Sequence, residues 1–232
     1  GPMKRNQSGF TLVEIAIVLV IIGLLLGGIL KGQELVQNAR VRNLADQQNA
    51  VAAAYFAFQD RYRALQGDYA QANTNIPNVA TAPCGGGGAC VQGNSQITGD
   101  EILFAWHHLT NAGFISCPVC APSPTIGAAP SAANSLVNAY NGFMILEYDN
   151  DYAMAVPAGG GVAPPAPLIN HLKSGAQIPS NILGEVDRKL DDGNPSTGKF
   201  RIITGAGAAG CLSGADWQSQ NPVPSCEAVN LF

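Results

Sequence analysis

Charged side chains are scarce in this chain, and basic ones are the scarcer kind. Of its 232 residues, 12% are charged, with 12 Lys and Arg against 16 Asp and Glu. Residues 67–232 contain five of the basic residues and twelve of the acidic ones, which gives them a net charge of about −7. A domain of this charge does not attract DNA or anionic lipid by long-range electrostatics. We therefore expect no bulk nucleic-acid binding, and only a small local patch stays open as a binding site.

Sequence signatures of enzymes are missing as well. The chain has no phosphate-binding loop, no nucleotide-binding fingerprint and no metalloprotease motif. His107 and His108 are adjacent in a segment with helical spacing, so their side chains face different directions. No Ser or Cys nucleophile stands in a recognisable motif near them. We therefore expect both histidines to be core or surface residues, and we predict that the protein is not an enzyme.

What the chain does have is one long apolar run, from Phe10 to Leu30, with a single carboxylate at Glu14. About 20 apolar residues are needed for a helix to span a bilayer. A secretory signal peptide also follows a short basic start such as Met3-Lys4-Arg5, but its apolar core is shorter and a small-residue cleavage site comes after it. No Ala-x-Ala pattern follows this run. We predict a single membrane-spanning helix, and the two basic residues place its N-terminus on the cytoplasmic side.

The helical pattern continues beyond the apolar run. Apolar or aromatic residues and one glutamine recur at alternating spacings of three and four, which is one stripe of a helix: Val41, Leu44, Gln48, Val51, Tyr55, Phe58, Tyr62 and Leu65. We predict one helix from about Phe10 to about Gln66, with a lipid-soluble first half and an amphipathic second half, ended by Gly67-Asp68. The stripe favours packing against the chain's own domain, and a coiled-coil seam is the alternative.

The remaining segments predict an α+β domain. Helical spacing recurs at residues 101–114 and 179–190, a strand is expected at 200–205, and a hairpin is expected from 141–149 and 151–158 with Asn150 at its turn. Residues 67–98, 115–137 and 205–232 are predicted to be rich in loops. The order of these elements indicates an antiparallel sheet laid on the long helix.

Six cysteines, an even number in a chain rich in Gly and Pro, predict disulfides formed in an oxidising compartment. Many pairings are open, and the most local one joins Cys84 to Cys90, Cys117 to Cys120 and Cys211 to Cys226. A cross-pairing of the first four is an alternative. Cys117-Pro-Val-Cys120 has the spacing of a redox motif but lacks its strand-to-helix setting. A zinc site made by the first four cysteines is a further alternative, although the gap between Cys84 and Cys90 is wide for one.

The start of the chain carries a family signature. Lys4-Arg5, the hexapeptide GFTLVE at residues 9–14, the apolar run and the continuous amphipathic helix together resemble the start of a type IV pilin precursor over residues 4–40. Residues 106–116 and 185–202 are also similar to stretches in large pilin-like proteins of Gram-negative bacteria. The resemblance implies a type IV pilin fold, in which the long helix packs on an antiparallel sheet within a loop-rich, disulfide-bonded globular domain. It also implies that Cys211–Cys226 closes an outward-facing C-terminal loop, as in many type IV pilins.

The resemblance further implies how the chain is processed and assembled. A prepilin peptidase would cut between Gly9 and Phe10 and methylate the new amine of Phe10, and mature subunits would then assemble helically with their N-terminal helices bundled. Pilins often have a proline in the membrane half that helps the helix to unwind in the fibre. This chain has none there, and we expect its glycines to serve as the soft point instead: Gly23, Gly27, Gly28 and Gly32.

Glu14 gains a role from the same resemblance. An ionised side chain in an apolar segment is costly without a partner. After cleavage the amine of Phe10 is positive when protonated, and the attraction between unit charges is much stronger in apolar surroundings than in water. In the family, the amine of an incoming subunit is thought to pair with the carboxylate of a neighbour, so that an unpaired charge penalises every wrong axial offset. The alternative is a carboxylate that merely reaches to the membrane surface.

An acidic cluster near residue 190 has two interpretations. The cluster consists of Glu185, Asp187, Asp191, Asp192 and Asn194. Some pilin-like proteins hold calcium near the C-terminus, although the spacing here is not that of an EF-hand. A helix stop and a turn at residues 191–195 explain the same side chains. We therefore predict no cofactor, with calcium at Asp187, Asp191, Asp192 and Asn194 as the alternative.

These predictions divide the chain by role. Residues 1–9 are a tag-cleavage scar at Gly1-Pro2 and a leader, residues 10–30 and 31–66 are the membrane and amphipathic halves of the helix, and residues 67–232 are the globular head. We expect a structural pilus subunit that lies in the inner membrane before assembly and in an extracellular fibre afterwards. Its expected partners are its own copies, other pilins, the prepilin peptidase and an inner-membrane assembly platform. A type II secretion pseudopilin, or a minor or tip pilin acting as a binding module, is the alternative. The sequence leaves open whether the fibre serves adhesion, motility, DNA uptake or conduction.

Overall fold

A computed structural model describes residue 1, residues 8–80 and residues 92–232. The helices are α1 (Leu12–Tyr62), α2 (Ala72–Asn75), α3 (Glu101–Asn111) and α4 (Ser180–Leu190), with short 3-10 turns at Pro118–Cys120 and Ala206–Ala208. The strands are β1 (Ile145–Asp149), β2 (Ile169–Lys173), β3 (Phe200–Ile202), β4 (Leu212–Ser213), β5 (Asp216–Trp217) and β6 (Ala228–Asn230). The predicted class, a long N-terminal helix with an antiparallel sheet in an α+β fold, is confirmed.

The chain divides into two compact units, Gly1–Arg40 and Val41–Phe232. The first part of α1 belongs to one unit and its last part to the other. In the first unit α1 begins at Leu12, slightly after the predicted Phe10, and it continues without a break through residues 23–32. Among the described residues, α1 is the one helix long and apolar enough to cross a membrane.

The predicted end of this helix at Gly67 is wrong, because α1 ends at Tyr62. Arg63 has a φ of 53°, a left-handed conformation that stops a helix. Gly67 has a different task, since its φ is 85° and a Cβ there would lie 2.4 Å from the carbonyl oxygen of Glu101. Only glycine lets the chain pass so close to the start of α3.

The amphipathic part of α1 forms one wall of the second unit's core. Its buried residues include Leu44, Gln48, Val51, Tyr55 and Phe58 of the predicted stripe. Val51, Tyr55 and Phe58 pack with α3, β1 and β2. Leu44 packs with α4 and β3. Gln48, the polar residue of the stripe, accepts a hydrogen bond at 3.2 Å from the side-chain amide of Asn230 in β6. The stripe therefore packs against the chain's own domain, as predicted.

A four-stranded antiparallel sheet in the order β1-β2-β6-β3 completes this core. Between β1 and β2 the register runs from Ile145↔Lys173 to Asp149↔Ile169. Between β2 and β6 it includes Leu172↔Asn230 and Lys173↔Val229. Between β3 and β6 it runs from Phe200↔Asn230 to Ile202↔Ala228. Strands β4 and β5 form a separate pair, with Leu212 opposite Trp217.

The predicted hairpin of residues 141–149 with residues 151–158 is wrong. Strand β1 pairs with β2 instead, and Tyr152 forms an isolated bridge with Ile203. Residues 153–168 contain three consecutive glycines and four prolines. Glycine weakens a strand and proline lacks the N–H that a ladder requires, so the chain crosses this stretch as a loop. The strand that pairs with β1 is β2, and it begins only at Ile169.

The prediction of loops for residues 205–232 misses β6, which lies between β2 and β3. All three residues of β6 are buried. A strand this short does not show the alternation that marks a strand in a sequence. The other predicted elements are found with shorter bounds: the helix at 101–114 is α3, the helix at 179–190 is α4, and the strand at 200–205 is β3.

Candidate functional site

The segment just before α1 has no regular secondary structure. Ser8, Gly9, Phe10 and Thr11 are all exposed, and Phe10 keeps 85% of its surface open. A peptide bond in such a segment is accessible to a peptidase, whereas one inside a helix is accessible only when the helix opens. The predicted cleavage point between Gly9 and Phe10 therefore lies in accessible chain.

Thr11 and Glu14 form a reciprocal capping box at the start of α1. The backbone N–H of Thr11 donates to Glu14 Oε2 at 2.9 Å, and the backbone N–H of Glu14 donates to Thr11 Oγ1 at 3.3 Å. The carbonyl oxygen of Thr11 accepts the first helical bond, from Ile15 at 3.3 Å. This arrangement satisfies two N–H groups that a helix start leaves without partners. Glu14 thus has a partner within its own chain before any cleavage.

Thr11 is a site residue that the sequence prediction misses. A threonine followed three residues later by a glutamate, just before an apolar run, is the sequence pattern of a capping box. Treating Glu14 only as a charge in a membrane segment hides that pattern. The carboxylate also stands in the first turn of α1, where it meets the positive end of the helix dipole.

The first unit presents its apolar side chains outward. Residues 12–31 are all exposed, and they include most of the large exposed hydrophobic residues of the described chain, such as Leu12, Leu24 and Leu30. A contiguous apolar surface of this kind marks a contact with lipid or with other apolar elements. The helix therefore fits anchoring in a membrane before assembly.

The glycines predicted as a soft point lie in this apolar helix: Gly23, Gly27, Gly28 and Gly32. All have helical backbone, and a Cβ at any of them would meet no atom of the described chain within 4 Å apart from the adjoining residues and the backbone of its own helix. Packing within the chain therefore does not require glycine there, while each glycine costs the helix about 1 kcal/mol relative to alanine. The helix is unbroken in the single chain, and unwinding at these glycines in a fibre stays a prediction.

The described residues of the second unit contain two disulfides. Cys117–Cys120 closes the 3-10 turn that follows α3, and Cys211–Cys226 joins the residue before β4 to the chain just before β6. Both are local pairs suggested by the sequence. Because Cys117 bonds to Cys120, the cross-pairing of the first four cysteines and their shared zinc site are wrong. The proposed pair Cys84–Cys90 lies outside the described residues.

His107 and His108 are core residues of α3, since neither has exposed surface. The backbone N–H of Gly67 donates to Nδ1 of His108 at 2.9 Å, and burial lowers the pKa of His108 to about 3. Burial also lowers the pKa of His107, whose Nδ1 lies 3.1 Å from the carbonyl oxygen of Cys120. Both imidazoles are therefore neutral at pH 7, and their contacts hold neighbouring loops against α3.

The acidic turn after α4 brings three of the suggested calcium ligands together. One carboxylate oxygen from each of Asp187, Asp191 and Asp192 lies within 4.8 Å of the others. Asp187 accepts the indole N–H of Trp217 at 2.7 Å, and burial raises the pKa of Asp187 to about 7. Asp191 accepts two backbone N–H groups from across the turn, and Asp192 accepts that of Asn194 at 2.9 Å. The bonds of Asp191 and Asp192 are those of a helix stop and a turn, and the bond of Asp187 ties α4 to β5.

A half-buried ion-pair network on β1 and β2 is a further cluster that the sequence prediction misses. Lys173 Nζ lies 2.9 Å from Glu147 Oε1 and 2.5 Å from Asp151 Oδ2, and His171 Nε2 lies 3.1 Å from Asp151 Oδ1. Burial opposes the charge of Lys173, but its two carboxylate partners raise the pKa of Lys173 above its usual value. Burial likewise opposes the charge of Asp151, but His171 and Lys173 hold the pKa of Asp151 below its usual value. The ammonium group attracts a carboxylate of β1 and the one that follows it, so the network links β1 and its continuation to β2.

Comparison with known proteins gives a family match that lies within the first unit. Residues 4–30 match the family model of the prokaryotic N-terminal methylation motif. Comparison with curated proteins and with solved structures gives no significant match. The matched residues include the basic start, Gly9, Phe10 and Glu14, together with the apolar run to Leu30. The chain therefore carries, at residues 4–30, the class III signal of type IV pilins and prepilins.

Proposed function

We propose that the protein is a structural subunit of a type IV pilus that polymerises through its N-terminal helix into an extracellular fibre. The methylation motif at residues 4–30, placed on an exposed apolar helix with a capped start, carries this proposal. The motif supports membership of the type IV pilin-like and pseudopilin proteins, which are structural and not enzymatic. The disulfide-bonded unit Val41–Phe232 would form the head of such a subunit.

The precursor in this proposal is a single-pass protein of the inner membrane with a cytoplasmic leader. A prepilin peptidase hydrolyses the amide between Gly9 and Phe10, which consumes water and leaves a carboxylate on Gly9 and an amine on Phe10. The neutral form of the amine then attacks the methyl group of a sulfonium methyl donor, whose remainder leaves as a thioether. The exposed and irregular backbone at this bond supports the step.

Assembly depends on Glu14 and on the apolar surface of α1. The protonated amine of Phe10 carries a positive charge about one helical turn from the carboxylate of Glu14. Between neighbouring subunits, such a pair favours one axial offset, because an unpaired charge in apolar surroundings is costly. The exposed apolar residues 12–31 are then covered by the helices of neighbouring subunits. The partners are copies of this chain, other pilins and an assembly platform in the inner membrane.

A type II secretion pseudopilin is the second candidate, because the same signal supports both classes. The size of the second unit and the disulfides Cys117–Cys120 and Cys211–Cys226 favour the pilus. The abundance of the protein in purified fibres distinguishes a major pilus subunit from a minor or tip subunit. A major pilus subunit is the dominant protein of sheared fibres, whereas a minor or tip subunit acting as a binding module is rare in them.

Mass spectrometry of the protein isolated from its native host tests the proposal. We expect a chain that starts at Phe10 and carries one added methyl group on its amine. A mature protein that retains Gly9 and the residues before it would overturn the proposed processing. Imaging of fibres that contain the chain tests polymerisation independently, because a processed subunit that never enters a fibre would contradict the structural role.

A further inference from the structure

Two residues near the start of α1 are competent N-caps, Ser8 and Thr11. The helix begins after Thr11, while Ser8 lies in irregular chain. Thr11 has a glutamate three residues later, and Glu14 returns the second bond of the capping box at 2.9 Å. Ser8 has Thr11 at the corresponding position, which offers no carboxylate for that bond. The capping box therefore favours the later of two helix starts.

The choice of start decides where the Gly9–Phe10 bond lies. With Thr11 as the N-cap, this bond precedes the helix. With Ser8 as the N-cap, Gly9 and Phe10 would be the first two helical residues, and the bond would lie within the first turn. Apolar surroundings favour a longer helix, because backbone groups outside the helix find no water to bind. A stop signal beyond the bond is therefore needed to keep it accessible.

We infer that the Thr11–Glu14 capping box keeps the Gly9–Phe10 bond outside α1 and so presents it to the prepilin peptidase, with Thr11 as a positioning residue for cleavage. This role rests on the proposed processing of the chain. It gives Glu14 a task that depends on a hydrogen-bond acceptor and not on a charge. The hydrolysis itself places a carboxylate on Gly9 and an amine on Phe10, and Thr11 takes no part in that chemistry.

Substitutions separate the roles of the Thr11 hydroxyl, the hydrogen-bond acceptor of Glu14 and the charge of Glu14. Thr11→Ser keeps the hydroxyl, and Thr11→Val keeps the shape of the side chain without it. Glu14→Gln keeps an acceptor for the Thr11 N–H but has no charge, because glutamine also closes a capping box. Glu14→Ala removes both the acceptor and the charge. Ser8→Ala removes the competing cap and serves as the rescue variant.

The experiment follows cleavage of the full-length precursor in lipid nanodiscs by a prepilin peptidase, with mass spectrometry of the precursor and mature chains over time. We expect Thr11→Ser, Glu14→Gln and Ser8→Ala to be cut at the wild-type rate. Thr11→Val and Glu14→Ala should be cut roughly fivefold more slowly, the effect of losing a typical helix cap. The double variant Ser8→Ala/Thr11→Val should regain most of the rate, because the earlier start is then lost.

Amide hydrogen exchange of the uncut precursor supplies a readout that does not depend on the peptidase. In Thr11→Val the N–H groups of Leu12 and Val13 should exchange more slowly than in the wild type, because a helix that starts after Ser8 lets them donate to the carbonyl oxygens of Ser8 and Gly9. In Ser8→Ala/Thr11→Val their exchange should return to the wild-type rate. Unchanged exchange at both residues in Thr11→Val would show that the helix start has not moved and would overturn the inference.

Some results of the cleavage experiment would also overturn the inference. Wild-type cleavage of Thr11→Val would remove the positioning role. Glu14→Gln cut as slowly as Glu14→Ala would show that the peptidase reads the charge. Slow cleavage of Thr11→Val without rescue by Ser8→Ala would indicate direct recognition of the hydroxyl. A wild-type precursor that is not cut at all would remove the proposed processing itself, which distinguishes that failure from the other three.

Discussion

At the scale of single residues, Glu14 has different partners at two stages. In the uncut chain its Oε2 accepts a hydrogen bond from Thr11 at 2.9 Å. In the proposed fibre its charge pairs with the amine of Phe10. The hydrogen bond requires an acceptor and the ion pair requires a charge, so an amide at position 14 keeps the first interaction and loses the second. Cleavage and assembly are therefore separable by substitution at this one residue.

Glu14→Ala is expected to be cut more slowly but still to accumulate as cleaved, membrane-bound protein that forms no fibres, because the amine of Phe10 then has no carboxylate to set the axial offset. Glu14→Gln should abolish fibres equally. Mass spectrometry of the membrane fraction measures processing, and the yield of sheared fibres measures assembly. Glu34→Ala is the matched control, since Glu34 lies on the same helix, is exposed and pairs with Lys31 at 3.2 Å. A normal fibre yield from Glu14→Ala would refute the pairing role.

Gly67→Ala is expected to destabilise the second unit by about 3 kcal/mol. Its φ is 85°, and the added Cβ would lie 2.4 Å from the carbonyl oxygen of Glu101, so backbone strain and a collision combine. Thermal unfolding of the full chain in detergent measures the loss. Gly93→Ala is the control, because Gly93 has a φ of 81° but open space around its Cβ position, and it should cost about 1 kcal/mol. Equal losses in the two variants would show that the contact with Glu101 is not decisive.

At the scale of elements, periodicity decides what a sequence predicts. Helices α1, α3 and α4 each contain two or more turns of apolar spacing, and all three are predicted from it. Strand β6 has three residues, too few for any period to show. The partner of β1 depends on the stretch of glycine and proline at 153–168, whose first residues are predicted as a hairpin strand although the chain crosses them as a loop to reach β2. Local pattern therefore predicts helices here better than it predicts strand pairing.

The turn after α4 is expected to be stable without calcium. The carboxylates of Asp187, Asp191 and Asp192 already accept hydrogen bonds from an indole and from backbone N–H groups of the turn. A bound ion would raise the melting temperature by mass action. We therefore expect the same melting temperature of the full chain with millimolar calcium and with a chelator. A rise with calcium that Asp191→Asn removes would instead establish a metal site at this turn.

At the scale of the whole molecule, the candidate site is predictable because it is contiguous. Gly9, Phe10 and Glu14 stand within one short motif, so no knowledge of folding is required to bring them together. The ion pairs of Lys173 are the opposite case. Lys173 meets Glu147 only because β1 pairs with β2, and the sequence prediction misses that pairing. Sites assembled across strands thus stay hidden when strand pairing is wrong.

Three carboxyl groups of the second unit, those of Glu101, Asp187 and Glu227, favour their protonated forms. Burial raises the pKa of Glu101 to about 8 and those of Asp187 and Glu227 to about 7. Each folded pKa lies above its unfolded value, so the contribution of each group to stability is complete below about pH 4 and is lost as the pH rises through the folded pKa. The histidines of α3 act in the opposite sense, because burial lowers their pKa values. Their contribution is complete above about pH 6.5 and is lost as the pH falls.

The unfolding midpoint of the full chain is therefore expected to fall between about pH 6.5 and pH 8, because the folded chain keeps protons on these carboxyl groups that the unfolded chain has already lost, and the histidines no longer compensate above about pH 6.5. Thermal unfolding in detergent across this range measures the slope. Glu101→Gln should flatten the slope, because a neutral amide has no proton to lose. Glu185→Gln is the matched control and should keep it, since Glu185 is exposed and pairs with Arg188. An identical slope in the wild type and in Glu101→Gln would mean that Glu101 is already ionised in the folded chain at pH 6.5.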